Sequence, residues 1–269
     1  MTRIDDVFAK RKAEGKKVLV TYLCVGDPDE KESVDLALAC ADEGADILEL
    51  GTPFSDPSAD GVAIARAAQR ALARGGGLAE TLRVAAAVRA RSDVPIVLFG
   101  YYNPLFVRGA AEAARQVAEA GVDALLVVDL PVEESMPLRE AAHARGLGLV
   151  PLVAPTSRPE RVAKLGDLGD RFALPFVYYV SMNGVTGGAG AEDVLRAAGR
   201  EAGRVRAVTR RPTVVGFGID SADRARLAVE EADGVVVGSE LVRRIERGAT
   251  TAEREAGVRA LVRELRAAV

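Results

Sequence analysis

Tryptophan is absent from this chain of 269 residues, histidine occurs once and cysteine twice. A lone His143 excludes histidine-rich metal sites and leaves a serine–histidine–aspartate triad improbable. It sits in the helical stretch Leu138-Arg-Glu-Ala-Ala-His-Ala-Arg145 and is expected on a helix surface. Cys24 falls in a predicted strand and Cys40 on the apolar face of a predicted helix. With no metal-ligand spacing and no disulfide framework, both read as buried, reduced thiols. No apolar run reaches the ~18 residues of a membrane span, and the first residues, Met1-Thr-Arg-Ile-Asp-Asp6, lack the apolar core of a signal peptide. A cytoplasmic protein is expected. A net charge of −3 and a pI near 5.5 give no reason to expect a nucleic-acid partner. The densest basic stretch, Arg204 to Arg211, reads as a solvated helix end. No metal is expected, so the chemistry falls to carboxylates, hydroxyls and backbone.

What is present is a strict alternation. Short β-rich runs at Val18–Cys24, Asp46–Leu50, Ile96–Tyr101, Ala124–Val128, Gly148–Val153, Phe176–Ser181, Thr213–Phe217 and Gly234–Val237 are each followed by an Ala/Arg/Glu-rich stretch. In the latter, apolar residues recur at spacings of three and four, the period of a helix buried on one side. Glycines 44, 121 and 146 close helices just before the next strand. Alternation of this kind implies parallel strands joined by right-handed crossovers, and eight such units close into a (β/α)8 TIM barrel of the α/β class. No Pro/Gly/Ser linker divides the chain, so residues 1–269 are expected to form one domain. Residues 1–14 supply an extra N-terminal helix that caps the barrel bottom. An open doubly wound sheet is the competitor, disfavoured because no G-x-G-x-x-G turn follows the first strand.

In such a barrel the site lies at the C-terminal strand ends. In Asp46-Ile-Leu-Glu-Leu50 side chains alternate, placing Ile47 and Glu49 inside and the leucines toward the helices. Glu49 is then a buried acid with no basic residue at an inward strand end, and its pKa should rise toward that of a general acid/base. Asp60 follows in the Gly/Pro/Asp-rich loop, and on its position alone is either a second functional acid or a helix N-cap. Gly216-Phe217-Gly218 and Gly238-Ser239 each end a strand just before a helix, where backbone N–H groups converge on an anion such as phosphate. The adjacent Glu240 is expected to turn away from it. The segment 181–192, with four glycines and one threonine, reads as a lid.

The run Leu48-Glu-Leu-Gly-Thr-Pro-Phe-Ser-Asp-Pro-Ser-Ala-Asp-Gly61 resembles the signature of the tryptophan synthase α chain family. So do Gly26-Asp27-Pro28, Asp129-Leu-Pro-Val-Glu-Glu134, Gly184-Val-Thr-Gly187, Gly216-Phe-Gly-Ile219 and Gly238-Ser239, in the same order along essentially the whole chain. The resemblance implies a retro-aldol lyase without a cofactor, converting indole-3-glycerol phosphate to indole and glyceraldehyde 3-phosphate. It implies Glu49 as general acid/base and Asp60 as the carboxylate on the indole N–H, with Thr186 contacting Asp60 from the lid and Tyr178 near Glu49. Tyr22, Ile64, Phe99 and Val128 would line the indole slot, while Gly187, Phe217, Gly218, Gly238 and Ser239 would hold phosphate. It further implies an αββα complex with a β chain that alone binds pyridoxal phosphate. Docking would involve Pro53, Asp56, Pro57, Asn103, Pro104 and Pro131. Ser58, Val62, Thr21 and Met182-Asn183 depart from the usual family residues without removing a catalytic group. The absence of tryptophan fits a tryptophan-making enzyme. Alternatives are a stand-alone lyase, a phosphosugar isomerase and a catalytically idle activator of the β chain.

Overall fold

The computed structural model describes residues 2–181, 191–216 and 218–269. The chain opens with α1 (Arg3–Ala13), capped by a reciprocal pair of hydrogen bonds between Thr2 and Asp5. There follow β1 (Val18–Cys24), α2 (Glu30–Asp42), β2 (Ile47–Gly51), α3 (Val62–Leu72), α4 (Leu78–Arg89) and β3 (Ile96–Gly100). The middle holds α5 (Asn103–Phe106), α6 (Ala110–Glu119), β4 (Ala124–Val127), α7 (Met136–His143), β5 (Gly148–Val150), β6 (Leu152–Val153) and α8 (Pro159–Arg171). The last third holds β7 (Val177–Val180), α9 (Ala191–Thr209), β8 (Thr213–Gly216), α10 (Ala222–Ala228), β9 (Gly234–Val237), α11 (Ser239–Arg247) and α12 (Thr251–Arg266). Among the described residues no helix is long and apolar enough to cross a membrane.

All strand pairs are parallel, in the order β5-β4-β3-β2-β1-β9-β8-β7-β6. The two ends of that order are consecutive in the chain and separated only by Pro151, so the sheet rolls into the expected TIM barrel. The fifth predicted strand, Gly148–Val153, is thus two pieces. Proline has no N–H for the ladder, and its carbonyl instead accepts from the Tyr178 amide at 3.0 Å. Glycines 44, 121 and 146 close α2, α6 and α7 with φ of 99°, 79° and 76°. One element was not anticipated: Asn103–Phe106, expected as loop, forms the short α5.

Alternation along each strand separates two cores. Ile47, Val97, Leu126, Val150, Phe176, Val214 and Val236 fill the barrel interior, whereas Leu48, Leu50, Leu98, Leu125 and Val235 pack toward the helices. Ile4 and Phe8 of α1 join the interior cluster, Phe8 meeting Phe176 at a ring separation of 5.7 Å, so α1 closes the barrel bottom. Cys24 and Cys40 are buried, and burial raises the Cys40 thiol to about 12.

The bottom rim carries a repeated device. Asp46, Asp123 and Asp233, each at a strand entrance, accept the backbone N–H of Leu19, Ile96 and Thr213 at 2.9, 2.8 and 2.8 Å. Each also pairs with arginine: Asp46 with Arg11 and Arg266, Asp123 with Arg3 and Arg89, Asp233 with Arg206. These carboxylates pin neighbouring strands in register and compensate their own burial. Asp123→Ala should therefore lower the unfolding free energy by ~3 kcal/mol in urea titration, because it strands Arg89 and the Ile96 amide. A loss below ~0.5 kcal/mol would reduce the device to surface decoration.

Candidate active site

The inward positions at the C-terminal strand ends are Tyr22, Glu49, Phe99, Tyr178, Gly216 and Gly238. Tyr22 and Glu49 are register partners on β1 and β2, and Glu49 is in turn opposite Val97 on β3. The glycines hollow the mouth. A Cβ at Gly51 would overlap the Tyr22 hydroxyl, and one at Gly216 the Tyr178 hydroxyl, while at Gly238 it would sit 3.2 Å from Tyr22 Cβ. The motifs mark Gly216 as part of an anion-binding turn and Gly51 as part of a signature; that both make room for a tyrosine is not readable from them.

Glu49 is 1% exposed and neither carboxyl oxygen has a hydrogen-bond partner among the described residues. Burial alone, with no compensating cation, pushes its pKa from the ordinary 4.5 to about 8. At neutral pH the carboxyl is therefore mostly protonated, yet can still be ionised, the condition a group needs to give and take a proton.

Asp60 is not a helix cap. Gly61 occupies the N-cap of α3 and no side chain caps that helix. The Asp60 carboxylate instead accepts a 3.0 Å bond from the Tyr101 hydroxyl, whose oxygen accepts from the Ala59 amide at 3.0 Å. Tyr101 stacks on Phe54 at 4.8 Å, which fixes the ring. Burial raises the Asp60 pKa and the Tyr101 bond opposes that rise. Tyr101 was visible as a strand end, but its link to an acid far away in sequence was not. Tyr22 is buried and Tyr178 half-buried; burial raises both phenols, and proximity to Glu49 and Asp60 raises them further. The two acids thus border the same space.

Tyr22, Ile64 and Phe99 belong to one apolar cluster, with Tyr22 and Phe99 edge to face at 5.1 Å. Val128 and Tyr178 pack on the barrel-interior cluster, which Phe99 also touches. After β9, the neighbour of β1, α11 begins at Ser239 with Gly238 as its cap and no side chain on its first amides. Gly218 has a φ of 76°, open to glycine alone without strain. By contrast Ser221 caps α10 through the Arg224 amide. Glu240 is held by Arg243 and Arg244 of its own helix at 2.9 and 2.8 Å. Thr186, Gly187 and Phe217, and most of the predicted lid, lie outside the described residues.

Of the predicted docking residues, Asp56, Asn103 and Pro131 are exposed, Pro57 and Pro104 half-buried and Pro53 buried. Pro53, two residues after β2, is buried and offers no free surface. Val62, Phe106 and Val107 are 75%, 63% and 68% exposed on the elements after β2 and β3. Phe106 ends the expected docking segment Asn103–Phe106, Val62 stands in the sequence only as a departure from the family residue, and no motif marks Val107.

A parallel (β/α)8 barrel whose mouth holds a buried, cation-free acid, a second acid on an aromatic support and an open helix N-terminus is that of an acid–base enzyme. Comparison with known proteins narrows this. The family model described as tryptophan synthase alpha chain matches residues 8–269. The tryptophan synthase alpha chain of Geobacter sp. (strain M21) is 46% identical over 248 residues, 92% of this chain and 90% of that protein. The one from Geobacter sulfurreducens is 43% identical over 269 residues, covering 100% of this chain and 99% of its own. The crystal structure of tryptophan synthase subunit alpha from Legionella pneumophila superposes with a TM-score of 0.88 at 35% identity, covering 100% of this chain and 98% of that one. The chain belongs to the tryptophan synthase alpha chain family.

The buried acid has a thermodynamic signature. A Glu49 pKa above its unfolded value means the native state holds a proton that the unfolded chain releases, so its contribution is fully present below pH 4.5 and lost as pH rises through about 8. Glu49→Gln, which cannot ionise, should match the wild type within ~1 kcal/mol at pH 5 and exceed it by several kcal/mol at pH 9. Parallel stability curves across that range would mean that Glu49 is not buried unpaired.

Proposed function

We propose that this chain cleaves indole-3-glycerol phosphate to indole and glyceraldehyde 3-phosphate through Glu49 and Asp60, as the alpha subunit of tryptophan synthase. The activity is that of the family; the residue assignments follow from the chemistry it demands. Breaking the bond between the indole ring and the glycerol chain requires a proton on ring C3 and removal of one from the adjacent glycerol hydroxyl. Glu49, protonated at rest, delivers the first. The resulting positive charge on the ring nitrogen meets the Asp60 carboxylate, an electrostatic contribution aimed at the transition state. Glu49, now ionised, takes the hydroxyl proton. The O–H electrons form the aldehyde, and the carbon–carbon pair returns to the ring as indole leaves.

Tyr101 is a positioning residue in this scheme: its hydroxyl favours the ionised form of Asp60. Tyr22, Ile64, Phe99 and Val128 form the indole slot, with Tyr178 beside Glu49. Gly218, Gly238 and Ser239 offer amides to the phosphate, joined by Gly187 and Phe217, and Thr186 acts from the lid. In this family pyridoxal phosphate belongs to the β chain, and the alpha chain needs no cofactor. The β chain is the partner, and we infer an αββα assembly working in the cytoplasm. Its docking surface on this chain combines Asp56, Pro57, Asn103, Pro104 and Pro131 with the exposed apolar side chains of Val62, Phe106 and Val107.

The observation that carries the assignment is an unpaired carboxyl at full burial in the mouth of the barrel. Glu49→Gln should abolish indole release while leaving the affinity for a phosphate ligand near wild type. Retention of about a tenth of wild-type turnover, a loss of only ~1.4 kcal/mol, is too little for the sole acid/base and would refute the assignment. Asp60→Asn should be almost as damaging. Tyr101→Phe should lower kcat by about tenfold to a hundredfold with little change in KM, for loss of one hydrogen bond to a charged group. An equal rise in KM would instead make Tyr101 a substrate-binding residue.

A further inference from the structure

A cavity of about 360 Å³ is walled by the ends of β4, β5 and β6, the loop after β4, and α7 and α8. Val128 is its one residue in common with the indole slot; neither Glu49 nor Asp60 lines it. Its volume suits a small ligand, and its walls are mixed, with Leu149, Val153, Val162 and Leu165 forming an apolar side and Asp129, Ser135, Arg139 and Arg161 a polar one. Asp129 and Thr156 at its edge are exposed, which opens it to solvent, beside Pro131 of the proposed β-chain docking surface.

Into this space faces Arg139, only 2% exposed. Its hydrogen bonds among the described residues are two long ones, Nε to Ser135 Oγ at 3.4 Å and an Nη to the Leu149 carbonyl at 3.5 Å. A guanidinium has five N–H donors, so most of its capacity is unused. It makes no ion pair with any described carboxylate. The undescribed residues, Met1, Met182–Gly190 and Phe217, include no aspartate or glutamate that could supply one. The nearby acids are engaged elsewhere: Asp129 accepts the Tyr102 amide at 2.7 Å, and Glu133 pairs with Arg161 at 3.1 Å. A buried cation left without a counter-charge costs several kcal/mol by order of magnitude, a burden an anionic ligand would relieve.

The charge and lining select the ligand. One guanidinium balances one negative charge, and Ser135 spends its hydroxyl proton on the Val132 carbonyl. Arg161, the other lining cation, is already paired with Glu133, so a phosphate dianion would remain half-compensated and would lie near the carboxylate of Asp129. We propose that this cavity binds a small monocarboxylate with an apolar body, its carboxylate forked by Arg139. The site stands apart from the lyase reaction and does not depend on the assignment of Glu49.

The test is calorimetric titration of phenylacetate into the full chain, alone and in complex with the β chain, with phenylacetamide as the uncharged control. Saturable binding of phenylacetate is expected in both forms, weaker by about tenfold or more for phenylacetamide and for Arg139→Met. A crystal grown with para-bromophenylacetate should show the bromine signal among Leu149, Val153 and Val162, which decides the matter even if Arg139→Met fails to fold. The proposal is overturned by absence of saturable binding, by undiminished binding to Arg139→Met, or by bromine elsewhere. Binding that vanishes in the complex also overturns it, since the partner would then fill the cavity.

Discussion

A carboxyl group sealed into a closed barrel without a cation is the constraint on which the site turns. Other buried acids in this chain are compensated: Asp27 by Arg70, Glu32 by Arg254, Asp46 and Asp123 by two arginines each, Glu240 by its own helix. Glu49 has no such partner among the described residues. The difference is one of place. The compensated acids lie at strand entrances, in the loop after β1 or in the first turns of helices, all outside the barrel interior, where long arginines can reach them. Glu49 projects inward, where the neighbouring strands offer valine, tyrosine and glycine. Its elevated proton affinity is therefore a consequence of barrel closure rather than of any single contact.

Closure has to be stable enough to bear that cost. Interlocking apolar layers inside the barrel, the α1 plug beneath them and the aspartates that clamp strand entrances concentrate stability at the bottom. At the top, Gly51, Gly216 and Gly238 make room for the rings of Tyr22 and Tyr178, which take the place of core aliphatics. Stability and function are thus assigned to opposite ends of the same strands. Arg139 is the counterpart of Glu49 in the opposite sign: a buried charge outside the reaction site whose counter-ion is not found in the chain.

Much of the architecture was legible because it is written locally. Strand and helix periods, helix-closing glycines and the inward parity of Glu49 each depend on a few consecutive residues. The break at Pro151 was legible in principle, since proline cannot donate to a ladder, but an apolar run on both sides hid it. What stayed hidden depends on groups distant in sequence. Tyr101 reaches Asp60 across 41 positions and Arg266 reaches Asp46 across 220, and neither residue type advertises such a partner. The unpaired state of Arg139 was equally invisible, because a lone arginine on a helix reads as solvated until its burial is known.

The most direct measurement is a titration of the Glu49 carboxyl itself, by carbon NMR of chains labelled at the glutamate side-chain carboxyl, with Glu49→Gln identifying its signal. The account predicts a midpoint near pH 8 in the folded, ligand-free protein. A midpoint near the ordinary glutamate value of 4.5 would mean that water or a cation reaches the group, and the acid–base account would fail.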